Sequence, residues 1–371
     1  MRIGVPREIK NHEYRVGLTP ASVRELVAQG HEVMVESGAG AGIGMDDAEY
    51  RRCGAGIGSL AAEVYATADM IVKVKELQAA EFPLLKPGQL LFTYLHLAPD
   101  PVQTQQLLAA DVVAIAYETV TGPGQTLPLL APMSEVAGRM AVPVGAHCLE
   151  REAGGAGILL GGVPGVRSAN VLVIGGGVVG ANAVRVAMGM EAQVTVIDRS
   201  LPRLQELDFQ FGGRLNTIFS TMHAIEEYVA DADLVIGAVL LPGGAAPKLV
   251  TRAMVRGMRP GSVLVDVAID QGGCFETSRP TTHAEPTFVE ERVVHYCVTN
   301  MPGAVPRTST FALNNATLPY VLALAGKGYR RALLEDGGLR DGLNVHRGVV
   351  TCEAVAQAQQ LRWLSAGQVL A

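Results

Sequence analysis

The stretch Val171-Leu172-Val173-Ile174-Gly175-Gly176-Gly177-Val178-Val179-Gly180 runs an apolar strand directly into the spacing G-x-G-x-x-G. In a strand-turn-helix setting each glycine has its own task. Gly175 permits the tight turn, Gly177 lets backbone N–H groups approach a pyrophosphate, and Gly180 lets the helix through Ala181-Asn182-Ala183-Val184 pack closely on the strand. A second strand, Ala192-Gln193-Val194-Thr195-Val196-Ile197, ends at Asp198, the offset at which a carboxylate accepts the hydroxyls of an adenosine ribose. Strand, glycine turn, helix, strand and acid in that order point to a bound dinucleotide; the alternative is a tight turn without ligand.

Glycine content alone does not make such a site. Gly38-Ala39-Gly40-Ala41-Gly42-Ile43-Gly44 has the composition without the spacing. It follows the strand-like His31-Glu32-Val33-Met34-Val35 but leads into Met45-Asp46-Asp47 rather than a helix, and so reads as a mobile loop.

At 371 residues, with 49% hydrophobic and 18% charged residues, the chain is long and apolar enough for two well-buried domains. A net charge of -6 without a Lys/Arg cluster argues against nucleic acid or an anionic membrane as partner. The five cysteines, Cys53, Cys148, Cys274, Cys297 and Cys352, are odd in number and lack C-x-x-C spacing. Neither a zinc site nor a disulfide framework is therefore expected. Met1-Arg2-Ile3-Gly4-Val5-Pro6-Arg7-Glu8 places charges where a secretory leader needs an apolar run, and the apolar stretch from Gly154 to Val184 is broken by Pro164, Arg167 and several glycines. The expectation is a cytoplasmic protein.

Residues 1–130 read as a domain of their own. Arg2 to Pro6 suggests a strand, Thr19 caps and Pro20 opens a helix through Leu26 that Gly30 closes, and strands follow at His31 to Val35, Met70 to Lys75, Leu90 to Leu95 and Val112 to Tyr117. After Asp198, strands are expected at Leu215 to Phe219, Asp233 to Ala238, Ser262 to Val267 and Val293 to Val298, giving a six-stranded unit over residues 131–306. The last stretch, 307–371, shows helical patterns at Asn315 to Leu324 and Thr351 to Leu364 and is too short for a third domain. It is expected to return to the first domain, making that domain discontinuous. The fold class is α/β: two Rossmann-like, doubly wound domains with a cleft between them, without internal repeat beyond the alternation itself.

Ligands in open α/β sheets bind beyond the carboxyl ends of strands. Arg15 lies in the loop after the first strand, Lys75 ends Ile71-Val72-Lys73-Val74-Lys75, His96 ends Leu91-Phe92-Thr93-Tyr94-Leu95-His96, and Asp270 follows Ser262-Val263-Leu264-Val265-Asp266-Val267. Each has a plainer reading: a solvated charge for Arg15 or Lys75, a hydrogen-bonded structural histidine, a turn at Asp270-Gln271-Gly272-Gly273. Together they suit one chemistry, because two fixed cations match a carboxylate and carbonyl, a histidine titrates near neutral pH, and a carboxylate orients water or stabilises an iminium.

Several blocks, in order and at family spacing, make the chain resemble the bacterial alanine dehydrogenases over essentially its whole length. They are Met1 to Lys10, Glu13-Tyr14-Arg15-Val16, Thr19-Pro20, Lys73-Val74-Lys75-Glu76, Leu95-His96-Leu97-Ala98, Pro132-Met133-Ser134-Glu135-Val136-Ala137-Gly138-Arg139, Val265 to Gly273, and Asn300-Met301-Pro302-Gly303-Ala304-Val305-Pro306. The resemblance implies reversible, NAD-dependent oxidative deamination of L-alanine to pyruvate and ammonia. Arg15 and Lys75 would hold the substrate, His96 would be the general acid/base and Asp270 the second catalytic residue. The NAD would be surrounded by Ser134, by Gly175, Gly177, Val178, Val179 and Gly180, and by Asp198, Arg203 and Ser220. Further contacts would come from Val239 and Leu240, from Val267, Ala268, Ile269 and Asp270, from Arg279, and from Val298, Thr299, Asn300 and Met301. Arg203 stands where relatives often carry Lys. A homo-oligomer, typically a hexamer, is also implied. The related NAD-binding subunit of transhydrogenases shares the opening block, and it implies an alternative in which hydride passes to a partner protein. The Pro132 to Arg139 block and His96 set the chain apart from it.

Overall fold

The structure, a computed structural model, describes residues 1–239 and 246–371. Leu240, expected at the cofactor, lies outside the described residues. The chain divides into two compact units, one formed by Met1–Met133 with Val305–Ala371 and the other by Ser134–Ala304. Sequence placed these divisions at 130/131 and 306/307.

In the first unit six strands, β1 (Arg2–Val5), β2 (Glu32–Glu36), β3 (Gly56–Gly58), β4 (Met70–Val72), β5 (Leu90–Thr93) and β6 (Val113–Ala116), pair parallel in the order β6-β5-β4-β1-β2-β3. The second unit repeats that winding with β7 (Asn170–Ile174), β8 (Gln193–Asp198), β9 (Leu215–Phe219), β10 (Leu234–Gly237), β11 (Val263–Asp266), β12 (Thr287–Glu290) and β13 (Val293–Tyr296). Its order is β9-β8-β7-β10-β11-β13-β12, with only β12 antiparallel. In both sheets the winding reverses beside the first strand, between β1 and β4 and between β7 and β10. That shared order is a structural repeat beyond the simple alternation visible in sequence.

The strands are apolar runs because both faces of each sheet are covered. Along β7, Val171 and Val173 enter one core with Val194, Val196, Ile236 and Val265, while Leu172 and Ile174 enter another with Ile197, Val235 and Leu264. Four strands escaped the sequence reading. Gly56–Gly58 is three residues with two glycines, and Thr287–Glu290 is an edge strand with two exposed residues. The chain then returns to the first unit and adds β14 (Leu343–His346) and β15 (Val349–Val350) beside β6, joined by a two-residue hairpin turn at Arg347 (φ 46°) and Gly348 (φ 78°).

The helix expected over Thr351 to Leu364 is shorter, Glu353–Gln359, and ends at Gln360 in the left-handed region; Trp363 instead bridges to Val350. The helix expected over Asn315 to Leu324 is longer, Pro306–Lys327. Its buried Asn314 accepts from the Thr19 amide (2.8 Å) and the Ser22 hydroxyl (2.9 Å) and donates to the Gly17 carbonyl (3.0 Å). This pins the returning segment onto the N-terminal helix Pro20–Ala28. The stretch Gly38 to Gly44, expected to be a mobile loop, is packed: Ile43 is buried, its carbonyl accepts from Arg307 Nη1 (2.6 Å), and a Cβ on Gly42 would lie 2.4 Å from the Tyr14 carbonyl oxygen.

On β13 the buried His295 has Nδ1 3.0 Å from the Val293 carbonyl, which can only accept, so Nε2 accepts from the Thr277 hydroxyl at 2.7 Å. Burial disfavours the charged ring and lowers the His295 pKa below its ordinary 6.5. A depressed histidine contributes stability that is present above its unfolded pKa and is lost as the pH falls. The unfolding temperature should therefore decline as the pH drops below 6.5, and His295→Gln should flatten part of that decline. Identical slopes for the two proteins would remove His295 as a cause.

Candidate active site

The glycine turn in the second unit is built by steric exclusion. Gly175 has φ +100°, and a Cβ there would lie 2.7 Å from the Ala238 carbonyl oxygen at the end of neighbouring β10. A Cβ on Gly180 would lie 1.8 Å from the Gly175 carbonyl oxygen, so only glycine lets the helix Val178–Gly189 start this close to β7. Gly177 is the N-cap and offers no side-chain hydrogen bond, which leaves the first-turn N–H groups directed outward as an anion site. Among the described residues, none beyond its chain neighbours has a heavy atom within 4 Å of a Cβ built at Gly177.

Asp198, at the end of β8, accepts from the Gly176 amide (2.6 Å) and the Ser200 amide (2.8 Å), and Arg203 Nε donates to the Gly176 carbonyl (2.6 Å). The acid and the cation thus grip Gly176 through the two peptides that flank its Cα. Arg203 Nη1 also pairs with Glu206 at 2.6 Å. The Ser220 amide donates to the Asp198 carbonyl (3.0 Å), and the Val239 amide would lie 3.2 Å from a Gly175 Cβ. Gly175, Gly177, Gly180, Asp198, Arg203, Ser220 and Val239 are therefore one cluster, with Val178 and Val179 in the first helical turn.

The other expected segments follow carboxyl ends on the same side of this sheet. Val267, Ala268, Ile269 and Asp270 form the short helical turn Val267–Gln271 after β11, with Asp270 exposed. Val298, Thr299, Asn300 and Met301 follow β13, with Asn300 in the left-handed region (φ 61°) and its carbonyl 3.1 Å from His283 Nε2. Arg279 stacks its guanidinium 4.1 Å over the Phe288 ring, and Ser134 sits on the helix Ala131–Cys148. Sequence reading missed Asp266, which organises this turn. Buried, it accepts from the amides of Ala268 (3.1 Å) and Cys274 (2.9 Å) and from the Ser278 hydroxyl (2.5 Å); burial pushes its carboxyl up against those hydrogen bonds.

In the first unit Arg15, Lys75 and His96 follow β1, β4 and β5, the same carboxyl edge. Arg15 is almost wholly buried and meets Glu13 through two parallel bonds, Nε to Oε1 (2.7 Å) and Nη2 to Oε2 (2.6 Å), with Nη1 3.0 Å from Met133 Sδ. Burial disfavours the guanidinium charge, but Glu13 overcomes this and holds its pKa above the ordinary value. Lys75 is half-buried. His96, about half exposed, takes a left-handed backbone (φ 49°) and lies parallel to the Tyr94 ring with centroids 5.8 Å apart. Its amide donates to Glu118 Oε1 (2.5 Å), and Nδ1 lies 3.9 Å from the same oxygen. Glu13, Glu118 and Tyr94 were not singled out in sequence; Glu13 is in the same short block as Arg15, the one signal that could have raised it. Among the described residues, no three His, Cys, Asp or Glu side chains converge as metal ligands, and no helix is long and apolar enough to cross a membrane.

Two doubly wound parallel sheets, one carrying a glycine-rich turn gripped by an acid, define the Rossmann-type class of α/β proteins. The chain belongs to the alanine dehydrogenase/PNT family: residues 4–137 match its N-terminal domain and residues 141–353 its C-terminal domain. It is 60% identical over 370 residues to an alanine dehydrogenase of Halomonas elongata, covering all of both chains. A solved L-alanine dehydrogenase superposes with a TM-score of 0.94 at 52% identity, covering 97% of this chain and 99% of that one. A transhydrogenase from Sinorhizobium meliloti superposes with a TM-score of 0.81 at 25% identity, covering 95% and 100%.

The turn makes a paired prediction. Gly180→Ala should cost about 2 kcal/mol or more of stability and abolish NADH binding, because the added methyl meets backbone. Gly177→Ala fits the fold, so its unfolding temperature should stay at the wild-type value while fluorescence titration shows weakened NADH binding. Undiminished affinity in Gly177→Ala would mean that no pyrophosphate approaches this turn.

Proposed function

We propose that this chain catalyses the NAD-dependent, reversible oxidative deamination of L-alanine to pyruvate and ammonia. The first unit holds the substrate and the second the cofactor. The observation that carries this reading is that each parallel sheet gathers its chemistry at the carboxyl end beside the reversal of winding: the glycine turn with Asp198 in one, Arg15, Lys75 and His96 in the other. The relatives named alanine dehydrogenase support the substrate.

The second unit's residues fit a dinucleotide. The helix start at Gly177, with no side-chain cap, would hold the pyrophosphate, Asp198 would hold the adenosine ribose, and the segments 267–270 and 298–301 would line the rest. A bound nicotinamide cofactor would supply hydride exchange with the substrate carbon. Lys75 supplies the ammonium that neutralises the substrate carboxylate, whereas Arg15, its charge balanced by Glu13, contributes a rigid donor edge through Nη1. With His96 Nδ1 turned toward Glu118, Nε2 is the atom that takes a proton in deamination and returns it in amination. Asp270 favours the cationic nitrogen and orients the water that attacks the imine. We further propose a cytoplasmic homo-oligomer, a hexamer as the family resemblance implies; light scattering measures it directly.

Purified full-length protein given L-alanine and NAD, with no other protein added, should produce NADH. Hydride transfer appearing only with a second protein present would favour the transhydrogenase-like alternative. NAD should exceed NADP in kcat/KM by about a hundredfold, since a 2′-phosphate would face the Asp198 carboxylate; comparable efficiencies would remove Asp198 from the ribose site.

Lys75→Ala and Arg15→Ala should both lose activity with NADH affinity close to wild type. Only Arg15→Ala should also lower the unfolding temperature, because it removes the guanidinium that meets the buried Glu13 carboxylate, at a cost of about 3–5 kcal/mol. His96→Ala should abolish turnover in both directions, and Asp270→Asn should slow single-turnover hydride transfer more than it weakens NADH binding. A near-normal transfer rate in either variant would take that residue out of the mechanism.

A further inference from the structure

The sequence block containing Glu8 is not used by the mechanism above, yet its side chain is buried under the substrate-side edge of the first sheet. Glu8 Oε1 accepts from two consecutive amides, Val74 (2.6 Å) and Lys75 (3.2 Å), where the chain has just left β4. Its other oxygen, Oε2, lies 3.2 Å from the ammonium of Lys73, which is fully buried and also bonds Glu81 at 2.6 Å. On the far side of the same residue, the Thr93 hydroxyl donates to the Lys75 carbonyl at 2.9 Å. The Lys75 backbone is therefore gripped at its N–H by Glu8 and at its C=O by Thr93.

We infer that Glu8 is a positioning residue for substrate binding, fixing the backbone from which Lys75 reaches the substrate carboxylate. The inference rests on the proposal that Lys75 holds that carboxylate. A carboxylate is the group this position requires. Three donors converge on it, two amides and an ammonium, and it has acceptor lone pairs for all of them. A glutamine keeps the oxygen that meets the amides but turns an NH2 toward the Lys73 ammonium, donor against donor. The side chain must then withdraw, and the two amides lose their acceptor. Burial raises the Glu8 pKa above its ordinary 4.5, with Lys73 and the Val74 amide opposing, while Glu8 and Glu81 together hold the buried Lys73 ammonium above its ordinary value.

Glu81 supplies the comparison that separates positioning from simple stability. It bonds the same ammonium, the Tyr65 hydroxyl (2.9 Å) and the Gln78 amide (2.8 Å), and no bond joins it to the Lys75 backbone. The experiment measures the pyruvate KM, NADH affinity by fluorescence and the unfolding temperature for full-length Glu8→Gln, Glu81→Gln, Lys75→Ala and Glu8→Gln with Lys75→Ala. Glu8→Gln and Glu81→Gln should both lower the unfolding temperature. Only Glu8→Gln should raise the pyruvate KM, by about tenfold or more, with NADH affinity unchanged. In the double variant, Glu8→Gln should add nothing to the Lys75→Ala loss.

Equal rises in KM for Glu8→Gln and Glu81→Gln, or a full multiplicative loss in the double variant, would overturn the positioning role while leaving Lys75 as the substrate contact. A wild-type KM in Lys75→Ala would overturn the substrate reading itself and this inference with it. Should Glu8→Gln fail to fold, Thr93→Val removes the grip on the other side of the same residue. The same selective rise in pyruvate KM is expected, and a wild-type value would overturn the clamp.

Discussion

A parallel sheet covered on both faces has no polar surface of its own, so the groups that meet a ligand gather where strands end. Both sheets here obey that constraint. Their central strands are largely apolar, and the winding of each reverses beside its first strand, the place where a crevice opens at the carboxyl edge of such sheets. The glycine turn occupies that position in one unit, and the segments carrying Arg15 and Lys75 occupy it in the other. The two units solve the same packing problem and arrive at the same place for chemistry.

What differs is how each crevice is held rigid. In the second unit backbone geometry does it: the 1.8 Å separation that a Gly180 methyl would face leaves one arrangement for turn and helix, and Asp198 with Arg203 fixes Gly176 between. In the first unit carboxylates do it, Glu13 and Glu8 buried and Glu118 partly so. Glu13 grips Arg15, Glu8 grips the backbone of Lys75, and Glu118 grips the amides of Leu95 and His96. Each expected functional group rests on an acid that meets the protein rather than solvent, so orientation is set before any ligand arrives.

These two modes of support explain what could be read from sequence. The glycine turn was legible because its steric code is local, three positions within six residues after an apolar strand. Arg15, Lys75 and His96 were legible by their place after strands. Glu8 was not, because its partner amide lies 66 residues away and a buried acid is the same letter as a solvated one. For the same reason Asp270, exposed in its turn, attracted notice while Asp266, which folds that turn, did not. The strands β14 and β15 were lost because they form only on return to a sheet whose other strands lie more than 200 residues earlier.

The Asn314 contacts bear on the order in which the molecule is made. All seven strands of the second unit are contiguous between residues 170 and 296, so this unit is complete once Ala304 has left the ribosome. The first unit begins 133 residues earlier but still lacks β14, β15 and the helix that supplies Asn314 to Gly17, Thr19 and Ser22. Its N-terminal portion is born with an uncovered sheet edge and an unfinished core, and must stay unaggregated until the final stretch emerges. The unit synthesised first is the unit that closes last, and the residues at greatest risk in a nascent chain are those at its beginning.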